Sequence, residues 1–121
     1  MREKIWRKEA LADVVNLALG AWLFLTPWIF GFTSEPAASW NAWLCGLAIG
    51  ALAIAAITAF AEWEEWVNLA LGIWVAIAPW LVAFSGDASA TRVHLIVGVL
   101  VAIVAGIRLW LVYRSPPRVR A

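Results

Sequence analysis

Charge is scarce in this sequence. Only 14% of its residues are Asp, Glu, Lys or Arg, against about 25% in an average soluble domain, which excludes an ordinary water-facing surface. It holds one cysteine, Cys45, and one histidine, His94. A lone cysteine inside an apolar run leaves no disulfide framework and no CxxC metal pair, and says nothing about redox compartment. There is no Ser/His/Asp set, metal-spaced cluster, glycine-rich phosphate loop or carboxylate pair at membrane depth. Catalysis therefore has no visible carrier, and neither a catalytic residue, a metal nor a cofactor is expected. A net charge of +1 is too small to argue for nucleic acid, and the basic residues gather at the termini instead of forming a stripe.

Apolar residues are what the sequence has in excess: 64% of the chain, with a mean hydropathy of +0.85. That is the composition of a membrane protein. Four apolar runs, residues 11–32, 40–60, 66–84 and 93–113, each approach the length that crosses a bilayer core. The polar breaks TSEPAAS (33–39), AEWEEW (61–66) and SGDASATR (85–92) are too short for a folded extramembrane domain. Short breaks make successive helices antiparallel neighbours, and no run alternates as a barrel strand does. The basic start and first apolar run faintly resemble a signal peptide. Glu9 and Asp13 interrupt it, no small-residue cleavage site follows, and a retained span is expected.

Lysine and arginine set the expected orientation. Arg2, Lys4, Arg7 and Lys8 precede the first span, while Arg108, Arg114, Arg118 and Arg120 lie near or beyond the end of the last; only Arg92 opposes them. An even number of spans puts both termini on one side, and the positive-inside rule makes that side the cytoplasm.

The chain repeats itself. VNLALGAW at 15–22 matches VNLALGIW at 67–74, and at the same offset Pro27-Trp28 matches Pro79-Trp80, Phe32 matches Phe84 and Gly46 matches Gly98. Two spans per repeat, one over 14–60 and one over 66–112, enter the membrane in the same direction within a single domain, residues 1–121. The expected fold is thus an all-α membrane protein of four transmembrane helices, built as two parallel two-helix repeats about a pseudo-twofold axis along the membrane normal.

From about residue 14 to 110 the chain resembles the SPW-repeat membrane proteins, which carry Ser-Pro-Trp in the first helix of each two-helix repeat. Here the motif reads Thr26-Pro27-Trp28 and Ala78-Pro79-Trp80. Serine is replaced conservatively once and lost once, which argues against an indispensable hydroxyl. The resemblance implies a small integral membrane protein of uncharacterised function and brings no catalytic residues.

An interior proline removes a helix hydrogen bond, here freeing the carbonyls of Leu23 and Val75, so each Pro-Trp pair reads as a kink with an interfacial anchor. A gating hinge or a lipid-headgroup notch is the alternative reading. Of ten tryptophans, Trp28, Trp40, Trp43 and Trp80 fall near the outer ends of spans and Trp6, Trp63, Trp66 and Trp110 near the inner ends, which is the two-belt pattern. Trp22 and Trp74, mid-span, read as packing, either in the core or toward lipid, with a stacking platform for a pigment or quinone as the alternative. Asn16 and Asn68 share a repeat position four residues before Gly20 and Gly72, marking a close helix contact with an amide as glue, or else a polar substrate or ion site. Ala42, Gly46 and Gly50, and again Gly98, Ala102 and Gly106, step by four and present small-residue grooves to a neighbour within the chain or in another subunit. Asp13, Glu65 and Arg108 are expected to cluster at the inner ends, because a cationic side chain there must snorkel or pair. His94 is expected at the outer interface, although pointing inward it would suit a haem or pigment.

The functional expectation is a structural or accessory protein of the bacterial inner membrane, a scaffold or subunit with the bilayer, other membrane subunits or its own copies as partners. The alternative is a small oligomeric transporter or lipid-binding module. A closed, dry bundle favours the first; a cavity lined by Asn16, Asn68, Thr26 and the freed carbonyls favours the second.

Overall fold

The computed structural model describes residues 2–114, and of residues 2–9 the backbone alone. The basic side chains at 2, 4, 7 and 8, Trp6, and the arginines at 118 and 120, on which the expected orientation leans, lie outside the described residues. Among the described residues all regular structure is helical: α1 Arg2–Ile29, α2 Pro36–Thr58, α3 Glu62–Leu81 and α4 Ala88–Arg114. Three helices are long and apolar enough to cross a membrane: α1 over Ala10–Ile29, α2 and α4. The third helix, α3, has enough length, but Glu62, Glu64 and Glu65 crowd its first turn.

The connections are shorter than the polar breaks suggested, spanning 30–35, 59–61 and 82–87. Polar residues at 36–39, 62–66 and 88–92 belong instead to first helical turns, for local reasons. Pro36 opens α2, where its missing N–H has no helical partner to lose. Three glutamates suit the positive end of the α3 dipole, and the Glu64 carboxylate accepts a bond from Ala61 N–H at 2.9 Å. Asp87 caps α4, its Oδ1 accepting from Ala90 N–H at 3.0 Å.

Helices α1 and α3 stop in the same way. The Phe32 N–H reaches back to the carbonyl of Pro27 at 3.0 Å, and the Phe84 N–H to that of Pro79 at 2.9 Å. Each six-residue closure passes through a left-handed residue, Gly31 at φ 73° and Ala83 at φ 63°, the signature of a Schellman-type stop. The aromatic residue that follows is buried in both. Since a Cβ in the left-handed region costs about 1–2 kcal/mol and extra backbone freedom in the unfolded chain offsets about 0.4–1, Ala83→Gly should stabilise the protein by up to about 1 kcal/mol. Reversible unfolding in detergent would show it, and a loss of stability would contradict this account of the turn.

Helix α1 packs chiefly on α2 and α3 chiefly on α4, and the two hairpins meet through α1–α4 and α2–α3. One continuous apolar cluster joins them, with Leu23, Phe32 and Ile49 from the first hairpin and Val75, Phe84 and Val101 from the second. The end of the bundle that holds the 59–61 turn is its base, and the opposite end is its crown.

Candidate functional site

The Pro-Trp motifs sit at the crown, in the last turn of their helices, with Pro27 and Pro79 buried and Trp28 and Trp80 exposed. Proline cannot donate to the carbonyl four residues back; in α1 the Thr26 hydroxyl does so instead, giving Leu23 O a bond at 2.7 Å. Ala78 at the equivalent place has no hydroxyl. The turns beyond match across the repeats: Ser39 Oγ donates to Phe32 O at 2.8 Å, and Thr91 Oγ1 donates to Phe84 O at 3.5 Å and Ser85 O at 3.2 Å.

His94 departs from expectation. It is fully buried, not interfacial, and its ring lies 4.6 Å from the Phe84 ring centroid and 6.3 Å from that of Phe32. Nδ1 donates to Ala90 O at 2.9 Å, and Nε2 has no partner. The reason is tertiary: both helix stops deliver a phenylalanine to the crown end of the axis, and α4 runs between them.

Most of the described tryptophans face outward. Trp22 and Trp74 are 43% and 37% exposed, and thus lie on the outer surface rather than in the core. Trp74 Nε1 donates to Asn41 Oδ1 at 2.9 Å, joining α3 to α2. Trp43 is the most enclosed of the crown set, stacked on Trp28 at 5.2 Å and edge-on to Trp40 at 5.3 Å. At the base, Trp63, Trp66 and Trp110 are all exposed.

The small residues meet within each hairpin. A Cβ on Gly20 would stand 2.7 Å from Gly50 N and 2.8 Å from Gly46 O; one on Gly72 would stand 2.6 Å from Ala102 N and 2.9 Å from Gly98 O. Gly46 and Gly98 return these contacts, Gly50 is looser, and Gly106 has nothing within 4 Å. The neighbour that spacing left open is therefore the other helix of the same repeat for Gly20, Gly46, Gly72 and Gly98. Where the paired helices diverge outward they leave apolar grooves, of about 410 Å³ between α1 and α2 and about 300 Å³ between α3 and α4.

The base carries the polar chemistry. Arg108, 2% exposed, comes from α4 and sets its Nε 3.3 Å from Asp13 Oδ2 and 3.4 Å from Oδ1 on α1. Its guanidinium also lies over the Phe60 ring, 3.8 Å from the centroid, so the cation is paired and stacked. Glu65, 1% exposed, lies within electrostatic reach of both Asp13 and Arg108. The three α3 glutamates have separate fates: Glu62 takes bonds from Trp66 Nε1 and the Tyr113 hydroxyl, Glu64 caps its own helix, and Glu65 points inward. Asn16 and Asn68, each 1% exposed, lie one turn further in. They do not bond to each other, since both Asn16 amide atoms lack a partner, as does Asn68 Oδ1. A cavity of about 150 Å³ borders the cluster, lined by Asp13, Ala56, Thr58, Phe60 and Arg108 among others. Among the described residues no three His, Cys, Asp or Glu side chains gather as metal ligands.

Comparison with known protein families gives a match to this arrangement. The sequence profile of the SPW repeat domain covers residues 10–108, both hairpins included. No curated protein and no solved structure matches the chain.

Proposed function

We propose, from the premise that the chain belongs to the SPW repeat domain family, that it is a structural integral membrane protein, a scaffold or accessory subunit of a larger assembly in a bacterial inner membrane. All four helices cross the bilayer in this reading. At 20 residues α3 is about 30 Å long, and it packs between two helices apolar enough to span, joined to each by a short turn. The base, with both termini, faces the cytoplasm according to the distribution of lysine and arginine.

The observation that carries the reading is the closed axis. Leu23 and Val75 are fully buried side by side with Phe32, Phe84 and His94 in the space that a permeation path through one chain would need. Large apolar side chains such as Leu44, Leu47, Ile96 and Ile103 cover the outside instead, which suits lipid or further subunits. Native mass spectrometry after extraction into native-lipid nanodiscs tests this directly. Higher copy number or a co-purifying membrane subunit is expected; a monomer that carries nothing with it would count against the proposal.

A lipid-binding module is the second reading, favoured by the α1–α2 groove. Leu17, Phe24, Leu25, Leu47 and Ile54 line it over a floor of Gly20 and Gly50, a shape and chemistry that accept an acyl chain. A monomer retaining a stoichiometric lipid in the same spectrum would favour this second reading.

A further inference from the structure

Each hairpin is sealed from within, Gly20 against Gly46 and Gly50, Gly72 against Gly98 and Ala102, whereas the two hairpins meet each other less extensively. At the crown that meeting is made by aromatic rings. Phe32 belongs to the first hairpin and Phe84 to the second, and His94 on α4 lies against both, its ring 6.3 Å from one centroid and 4.6 Å from the other. The equivalent place in the first repeat is taken by Ala42, also fully buried. One imidazole therefore stands in the apolar interior of the crown, on the seam between the hairpins.

A neutral ring suits that place. With Ala90 O as the acceptor, the hydrogen sits on Nδ1 and Nε2 keeps a lone pair that has no partner. The buried hydroxyls of the crown are committed elsewhere, Thr26 to Leu23 O and Ser39 to Phe32 O. A protonated ring is a different object, because it carries a second N–H donor and a full charge. Among the described residues the charged side chains of the crown are Glu35 before α2, Asp87 at the α4 N-cap and the exposed Arg92, and none of them bonds to the imidazole. Helix α2 has no charged residue, α1 and α3 carry theirs toward the base, and the Cys45 thiol on α2 turns to Asn41 Oδ1 at 3.6 Å. A cation–π contact with phenylalanine repays only a fraction of the hydration that a buried ion loses.

We infer that His94 is an acid-sensitive latch between the two hairpins, closing the crown end of the axis while neutral and releasing it when protonated. An imidazole in water takes its proton near pH 6.5, roughly, so below that pH acid favours any state in which Nε2 reaches water. The smallest such state parts Phe32 from Phe84 and leaves the rest of the bundle in place. It need not break the glycine contacts, since those lie within the hairpins and not between them. The latch works in the same way in a scaffold subunit or in a lipid-binding module.

His94 is the only histidine, so 15N-labelled imidazole in the untagged, purified protein gives one isolated set of nuclear magnetic resonance signals. These are followed in detergent from about pH 8 to about pH 5, together with hydrogen exchange of the Phe32 and Phe84 amides, whose bonds to Pro27 O and Pro79 O close the helix stops. Unfolding midpoints are compared with those of His94→Leu, which keeps an apolar side chain and cannot titrate; carboxyl groups at the base contribute equally to both proteins. Below about pH 6.5 the wild-type folding equilibrium should fall by up to about tenfold per pH unit relative to the variant, a midpoint shift of about 5 °C. The ring should start as the Nδ1–H tautomer, and both amides should lose protection as it becomes imidazolium. A constant difference between the two midpoints overturns the latch. So does a ring that takes its proton with both amides still protected, or one that is neutral and enclosed at the acid end of the range. Those two readings come from the wild type alone, and they decide the matter even if His94→Leu does not fold.

Discussion

Arg108→Leu should destabilise the protein by about 3–5 kcal/mol, the usual cost of removing one partner from a buried ion pair. The side chain is 2% exposed, it holds Asp13 through Nε, and it covers the Phe60 ring. Leucine fills part of the volume, but it leaves Asp13 and Glu65 facing each other on α1 and α3 with no described cationic side chain between them. Most of the loss is then the stranded charge and not the lost attraction. Asp13→Asn in the Arg108→Leu background should therefore recover a substantial part of the stability, and the double-mutant cycle should show coupling well above about 0.5 kcal/mol, the level of independent sites. The measurement is reversible unfolding in detergent alongside size-exclusion chromatography. If Arg108→Leu leaves both folding and oligomeric state unchanged, the base cluster has no structural importance.

A single methyl group at Gly98 should cost about 2–3 kcal/mol, near the upper end for overpacking. Its Cβ would press on the backbone nitrogen of Ala76, with Gly72 O only 2.6 Å away and Ala76 Cα at 2.8 Å. Backbone atoms in a neighbouring helix cannot rotate aside as a side chain can, so α3 and α4 must separate along the hairpin. Gly106→Ala, on the same helix and with nothing within 4 Å, provides the control: it should be neutral, or stabilise by up to about 1 kcal/mol through helix propensity. Equal effects at the two positions would show that glycine matters here for chain flexibility and not for the contact between α3 and α4.

Much of the fold was legible because duplication and hydropathy are local properties. VNLALGAW and VNLALGIW announce the repeat, and the long apolar stretches announce helices. Span boundaries were less legible, since polarity marks the membrane surface whereas hydrogen bonding and capping decide where a helix starts. Glu62 and Glu64 are polar and helical at once. The helix stops hid in plain letters. FGF and VAF following Pro-Trp give a left-handed residue and a buried aromatic, but alanine at position 83 disguised the second of them.

The candidate site was legible as a set of residues and not as an arrangement. Asp13, Glu65 and Arg108 were grouped from their depth in the spans, yet nothing in the spacing says that Arg108 takes Asp13 and leaves Glu65 without a hydrogen bond. His94 illustrates the limit most clearly. Arg92 beside it and a position near the end of a span point to an interface, and two phenylalanines from distant turns enclose it instead.

By itself the sequence determined the class, the helix number, the family and the duplication, because each depends on composition or on comparing the chain with itself or with a family profile. Only the tertiary structure decided which face of each helix turns inward. In a soluble helix the polar side marks the outside; here the helices are apolar nearly all round, lipid replaces water at their surface, and hydropathy no longer separates core from exterior. Inside and outside are then settled by close contact, glycine against glycine along each hairpin and Arg108 against Asp13 at the base.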